Sequence, residues 1–342
     1  MMNKSAIDWC DFTFNPVTGC PRGCAYCYAR KQAGRFSGDI RLNKASEQIA
    51  HAGDGTYILE APFKNNKGTV IPFPVGFAPT LHRYRLPLPK QKKKPAVIFV
   101  CSMGDLFAPI IPTRWIVEVF DACAAASWHT YLFLTKYPQR YQQLEHLALL
   151  PHAENMWYGT TITDLDDADR ILKLPPTVHR FVSIEPVHGP IDLDYIAPPE
   201  PWPPVEWVIV GAETGNQKNK VVPERSWITG LAGWAHRNNV PILQKDSDEI
   251  RAVLGKEPIQ EFPKQIPHID IPIPHCSECE AHTAEFRNQD PVHGFVKYNH
   301  TCSAGGAPRK IRGRDARTSP AWCPKRRGEP ICPANQSQNT EK

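Results

Sequence analysis

Gly19-Cys20-Pro21-Arg22-Gly23-Cys24-Ala25-Tyr26-Cys27-Tyr28 sets three cysteines at C-x3-C-x2-C, directly after a short strand-like run over residues 12–15. Three thiolates packed this closely can fold around one metal centre. Thiolate is a soft ligand and favours iron–sulfur clusters or zinc. The count says more than the spacing. A closed structural zinc site or an ordinary four-iron cluster takes four protein ligands. Three leave one metal position open for chemistry. Gly19 and Gly23 let the backbone bend tightly around such a centre. The competing reading is a zinc knuckle completed by Cys10 or by a distant residue.

Working outward, the 342 residues can bury a large core, and one big domain with a smaller companion is expected. Hydrophobic residues make up 41% and charged residues 22%, an ordinary soluble profile. No run of ~18 apolar residues predicts a membrane-spanning helix. The first eight residues lack the apolar core of a secretory signal, so a cytoplasmic location is expected. In that setting eleven cysteines argue for metal binding rather than disulfides. The thirty-five prolines are roughly twice the usual ~5% share and predict many fixed loops.

From residue 96 a regular alternation begins. Short apolar runs recur at 96–101, 131–134, 156–162, 180–184, 207–210 and 241–243. Runs of this length suit strands buried on both faces of a parallel sheet. Helical stretches lie between most of them. In 112–127, Trp115, Ile116, Val119, Phe120, Cys123 and Ala124 share one face at period 3.6. A second helix is predicted over 164–174 with Asp164 as its cap. A third, over 224–239, carries Trp227, Ile228, Leu231 and Ala235. The proline-rich connection over 187–205 predicts no full helix. Residues 28–95 read as one long crossover that begins helical at 28–33 and holds small strands such as Thr69-Val70-Ile71. A connection this long is usually functional.

The alternation reads as an α/β barrel or partial barrel of (β/α)6 type. The polar residues sit where a barrel puts its chemistry, just past the C-terminal strand ends. These ends are Ser102-Met103-Gly104-Asp105, Thr135-Lys136, Thr160-Thr161, Ser183-Ile184-Glu185-Pro186, Glu213-Thr214-Gly215 and, at a seventh, Gln244-Lys245-Asp246. Each ionisable residue alone is an ordinary surface or capping residue. The repetition is the signal.

The cysteine spacing, with an aromatic just before the third cysteine, resembles the signature of the radical S-adenosylmethionine (SAM) superfamily. The resemblance implies that Cys20, Cys24 and Cys27 hold a [4Fe–4S] cluster and that Tyr26 lies against the adenine of SAM. The open iron would bind SAM, and an electron from the cluster would cleave it to a 5′-deoxyadenosyl radical. An electron donor such as flavodoxin or ferredoxin is implied as a partner. Over residues 5–250 the chain is similar to an uncharacterised radical SAM-like family of phages and prophages, a domain of unknown function. The matching motifs are Asn15-Pro16, Gly19-Cys20, Ser102-Met103-Gly104-Asp105-Leu106-Phe107, Leu134-Thr135-Lys136, Ser183-Ile184-Glu185-Pro186 and Gly211-Ala212-Glu213-Thr214-Gly215. The usual Gly-Gly-Glu after the second strand is replaced by Met103-Gly104-Asp105. By chemistry and position, Asp105 is the candidate for the SAM amino group and Lys136 for its carboxylate. Ser183, Glu185 and Glu213 are candidates for the ribose or the substrate.

Residues 251–274 predict a proline-stiffened linker between a 1–250 domain and a small module over 275–332. Cys276-x2-Cys279, Cys302 and Cys323 supply four thiols, enough for a closed zinc site. An auxiliary iron–sulfur cluster is the competing assignment. The module is too polar to build a core unaided, which favours a metal staple. Residues 297–327 carry nine Lys/Arg and one acid, a net +8 in a chain of net +5, so the rest sums to −3. Such a segment suits phosphate contacts and nucleic acid. The last residues, 333–342, read as a disordered tail. Two functional readings follow. One is a radical SAM enzyme acting on an unknown substrate, with nucleic acid as a candidate. The other is a catalytically inert, metal-stapled protein that binds nucleic acid through the basic module. A zinc hydrolase is a weaker third, because the strand ends offer few histidines.

Overall fold

A computed structural model describes residues 2–196, 204–214 and 219–266, together with the backbone of strands at 282–289, 296–302 and 309–311. The chain divides into two compact units, Met1–His268 and Ile269–Lys342.

The first unit opens with β1 (Asn3–Lys4) and β2 (Phe12–Phe14). Four short strands follow: β3 (Val17–Thr18), β4 (Ala50–Gly53), β5 (Thr56–Leu59) and β6 (Thr80–His82). The buried runs then give β7 (Val97–Val100), β8 (Thr130–Thr135), β9 (Met156–Ile162), β10 (His179–Ile184), β11 (Trp207–Val210) and β12 (Ile242–Gln244). The main sheet runs β1-β2-β7-β8-β9-β10-β11-β12. Only β1 is antiparallel to its neighbour; the others are all parallel. After β2, each strand of this sheet lies beside its successor. Right-handed crossovers in such an order put the connecting helices on one face.

The helices are α1 (Tyr28–Arg35), α2 (Ile40–Lys44), α3 (Leu88–Gln91), α4 (Thr113–Ala124), α5 (Gln139–His146), α6 (Arg225–Arg237) and α7 (Asp248–Leu254). Side chains alternate between the two faces of a strand, and the core divides accordingly. Ile98, Val100, Tyr131, Phe133, Tyr158, Val182 and Val208 pack with Trp115, Ile116 and Phe120 of α4, Tyr141 of α5 and Leu231 of α6. On the opposite face Val97, Phe99, Leu132, Trp157, Phe181, Trp207 and Leu243 form a second core with Trp9 and Ile266. Gly159 is needed there. A Cβ on it would lie 2.5 Å from the Phe181 ring. Continued past this aromatic layer, the same alternation puts Thr161, Ser183 and Gly211 on that face toward the C-terminal strand ends.

Several expectations need correction. Thr69-Val70-Ile71 is not a strand; Val70 makes only an isolated bridge with Lys64. The crossover instead carries a four-stranded sheet in the order β3-β6-β5-β4. The stretch expected as a helix after Asp164 is a 3-10 helix, Leu165–Lys173, and Asp164 does cap it. Residues 251–266, expected to begin a linker, include the end of α7 and then return to the core. There Phe262 and Ile266 pack on the aromatic face and Trp207 Nε1 donates to the Glu261 carbonyl at 3.0 Å.

The second unit shows β13 (His282–Gln289), β14 (Val296–Cys302) and β15 (Arg309–Ile311) as an antiparallel sheet. Cys302 ends β14, paired in register with His282 and Arg309. Cys276, Cys279 and Cys323 lie outside the described residues. Among the described residues no helix is long and apolar enough to cross a membrane.

His82 gives the small sheet a pH dependence. Its ring is fully buried, with Nε2 2.9 Å from Thr18 Oγ1. Burial, aided by the Arg85 charge, holds its pKa well below the ordinary 6.5. Below pH 6.5 the unfolded chain takes up a proton there that the fold refuses. Stability is therefore lost as pH falls, by up to about 1.4 kcal/mol per pH unit from this group. Denaturant midpoints measured from pH 7.5 to 5.5 should fall less steeply in His82→Gln than in the native chain. Equal slopes would contradict this.

Candidate functional site

The cysteine loop is rooted on the turn that follows β7. Asn15 Oδ1 accepts from the Met103 amide at 2.9 Å and from Ser102 Oγ at 3.2 Å. Gly19 pairs with Gly104 through a parallel bridge, and its amide donates to the Met103 carbonyl at 2.9 Å. Neither glycine can carry a side chain. A Cβ on Gly19, at φ +89°, would meet the Ala78 carbonyl oxygen at 2.4 Å. One on Gly104 would meet the Gly19 carbonyl oxygen at 2.7 Å. Met103-Gly104 thus supplies a close backbone approach between the turn after β7 and the cysteine loop.

The loop then turns into α1. Cys27 Sγ caps that helix, accepting from the Arg30 amide at 3.4 Å, and Cys20 Sγ accepts from the Arg22 amide at 3.4 Å. Arg30 reaches back from α1 and donates to the carbonyls of Cys20 at 3.0 Å and Arg22 at 2.7 Å, stacked over Phe77. Tyr28 donates to the Ser102 carbonyl at 2.7 Å. Burial, reinforced by the Asp105 charge, pushes the Cys20 thiol up to about 12. Burial likewise raises the Tyr26 phenol, whose neighbour is Cys24.

Asp105 and Lys136 sit under this loop. The Asp105 carboxylate is buried and holds three donors: Thr135 Oγ1 at 2.7 Å, the Phe107 amide at 3.1 Å and the Lys136 amide at 3.0 Å. Burial raises its pKa against the pull of those bonds. Oδ1 accepts two of them and Oδ2 one, which leaves Oδ2 a further acceptor position. Lys136 is different. Its Nζ is buried and has no hydrogen-bond partner among the described residues. It lies 5.5 Å from the centre of the Tyr26 ring. Burial lowers its pKa, opposed first by Cys24.

Two carboxylates complete the strand ends. Glu185 accepts from Ser183 Oγ at 2.8 Å and pairs with Lys245 Nζ at 2.9 Å. Gly211 makes room for that pair, since a Cβ there would come 2.4 Å from Glu185 Oε1. The Glu185 charge raises the Lys245 pKa. Glu213 is buried, with Oε2 3.3 Å from His188 Nε2, and the His188 ring stands edge-on to Tyr26 at 5.3 Å.

The structure thus brings Cys20, Cys24, Cys27, Tyr26, Asp105 and Lys136 into one neighbourhood, and links Glu213 to it through His188. Ser183 and Glu185 form a second polar group with Lys245. The sequence placed Lys245 at a strand end without a role; His188 and Arg30 were not singled out. No sequence signal pointed to His188 or Arg30.

A metal at this site would be held by these side chains. Among the described residues no group of three or more His, Cys, Asp or Glu stands ready at metal-ligand spacing. The loop's three sulfurs would have to draw together on binding. The donor set nonetheless fits a thiolate-ligated cluster with one open position. The orphaned ammonium of Lys136 fits an anionic group beside it.

Fold and site together define a parallel α/β protein with a three-cysteine loop at the C-terminal ends of its strands. The chain belongs to the family described as Protein of unknown function (DUF5131), which matches residues 4–257. No curated protein matches it. Among solved structures it is similar to spore photoproduct lyase complexed with dinucleoside spore photoproduct. The identity is 10%, over 87% of this chain and 70% of that one, with a TM-score of 0.39. A mutant of that lyase with bound AdoMet and the dinucleoside is similar at 9% identity over the same shares, with a TM-score of 0.38.

Proposed function

We propose that the chain is a radical SAM-type iron–sulfur protein whose first unit is a partial barrel, with the chemistry at the C-terminal strand ends. The observation that carries this reading is the buried, unpartnered ammonium of Lys136 beside the three-cysteine loop. A charge in that position is costly unless an anion joins it. Cys20, Cys24 and Cys27 would hold a [4Fe–4S] cluster, which when bound supplies the electron that cleaves SAM reductively. Lys136 receives the SAM carboxylate. Asp105 offers its remaining Oδ2 position to the amino group. Tyr26 provides a ring face for the adenine and is backed by His188. Ser183, Glu185 and Glu213 serve the ribose or the substrate.

The C-terminal module keeps its own proposal. Cys276, Cys279, Cys302 and Cys323 hold zinc or an auxiliary iron–sulfur cluster, and the +8 segment over 297–327 contacts nucleic acid. That charge also favours the second reading, an inert nucleic-acid-binding protein. One assay separates the two. Full-length protein, anaerobically reconstituted with iron and sulfide, is mixed with SAM and dithionite. The enzyme reading predicts release of 5′-deoxyadenosine and methionine. Cluster-loaded protein that releases neither would leave the binding reading.

A further inference from the structure

The end of α3 and the loop into β7 hold four lysines in five positions, Lys90, Lys92, Lys93 and Lys94. A lysine run is ordinarily a solvated turn, but this one is held in place. The Lys92 carbonyl accepts from Trp128 Nε1 at 2.9 Å and lies 3.1 Å from His129 Nε2. Lys92 Nζ stands 3.9 Å from the centre of the Phe12 ring. Phe12 pairs in register with Lys4 of β1, so a fifth lysine belongs to the same edge of the main sheet. Lys4, Lys90, Lys93 and Lys94 are exposed. Among the described residues the ion pairs of lysine involve Lys220 and Lys245, and none of these five. Asp11, the acid next to Phe12, is taken up by the Val97 amide at 2.8 Å. Trp128 is 38% exposed although its indole N–H is bonded, so a fixed ring stands beside the lysines.

Unpaired cations next to an aromatic face are the elements of a single-strand nucleic-acid surface. The ammonium groups follow the phosphates and the ring stacks a base. We infer that Lys4, Lys90, Lys93 and Lys94, with Trp128, bind single-stranded nucleic acid. The same charges would meet the phosphates of a lipid surface. Trp128, however, is pinned at Nε1 and only partly exposed, which suits stacking and not insertion into a bilayer. The place in the fold gives the surface its task. Residues 90–94 lead into the N-terminal end of β7, and the cysteine loop is rooted on the turn that follows the same strand. The four residues of β7 alone separate the two by about 13 Å. The surface therefore holds the polymer and takes no part in chemistry. It is distinct from the basic C-terminal segment and does not depend on the cluster reading.

The test uses full-length protein and a short fluorescent single strand of DNA, titrated by anisotropy over a range of salt. The variants are the triple change Lys90→Gln, Lys93→Gln, Lys94→Gln and the single changes Trp128→Ala and Trp128→Phe. The C-terminal segment is the same in all of them, so any difference belongs to the first unit. Each phosphate contact on a single strand contributes about 0.7 to the slope of log affinity against log salt, so the triple variant should lose about 2 from that slope. Trp128→Ala should bind the strand ~5-fold more weakly or worse with the slope unchanged, and Trp128→Phe, which keeps a ring, should recover most of the loss. Equal slopes in the native and triple-variant proteins would overturn the proposal. So would Trp128→Phe binding as weakly as Trp128→Ala. A triple variant that loses affinity for phosphatidylserine vesicles, with strand binding unchanged, would give the lysines to a lipid surface and overturn it likewise. Release of 5′-deoxyadenosine by the reconstituted proteins should be the same throughout, so this proposal and the cluster reading fail separately.

Discussion

Replacing Cys24 by alanine is expected to abolish the visible iron–sulfur absorbance of the N-terminal unit and all SAM cleavage, with the fold intact. The loop supplies three thiols, one for each of three iron positions. A cluster held by two protein sulfurs would lose a third of its thiolate support and open a second iron to solvent. The sulfurs of Cys20 and Cys27 each accept a backbone amide, and that of Cys27 caps α1, so of the three Cys24 is the one whose replacement tests ligation with the least disturbance of those bonds. Cys123→Ala is the control. Cys123 is fully buried on the inner face of α4, where cysteine acts as a small hydrophobe, and its loss should leave the spectrum unchanged. Urea midpoints and circular dichroism show whether each variant is folded. An intact cluster spectrum in folded Cys24→Ala would contradict the ligand set.

Lys136→Met should move two measurements in opposite directions. Without metal or SAM, the native ammonium is buried over the Tyr26 ring with no hydrogen-bond partner among the described residues, at a cost on the order of 1–3 kcal/mol. Methionine fills similar space without the charge, so the metal-free variant should be more stable, by at least about 1 kcal/mol in denaturant titration. The sign with pH follows from the depressed pKa. Between the folded pKa and 10.5 the unfolded chain holds a proton that the folded chain has released. Native stability therefore gains from this group as pH rises through that window, and the variant lacks the gain. SAM binding should go the other way. Losing the cation opposite a buried carboxylate costs about 2–5 kcal/mol, roughly 30-fold or more in Kd. A variant that is less stable and binds SAM as before would place Lys136 outside the site.

Much of this arrangement was legible in the sequence because the parallel strands are buried on both faces. The runs at 156–162 and 207–210 coincide with β9 and β11, since a doubly buried strand needs continuous apolar residues. The small sheet in the crossover was not legible. β3 has two residues and β4 is nearly all exposed, so neither shows a period. α5 escaped for the opposite reason: only Tyr141 and Leu144 are buried in an otherwise polar helix. In the site, residue types at strand ends pointed to Lys136, Glu185 and Glu213. Their partners did not follow. Lys245 meets Glu185 only because β12 neighbours β11 and Gly211 leaves the gap. His188 meets Tyr26 only because the loop after β10 reaches the cysteine loop. Such pairings are properties of the strand order in the sheet, not of local sequence.

The central claim is that three thiols on the first loop hold an iron–sulfur cluster. The most direct measurement is iron, acid-labile sulfide and zinc content of anaerobically purified full-length protein, beside a Cys20→Ala, Cys24→Ala, Cys27→Ala variant. The account predicts iron and sulfide in equal amounts in the native protein, about four of each falling away in the triple variant. Native protein containing zinc but no sulfide, or iron and sulfide unchanged in the triple variant, would contradict it.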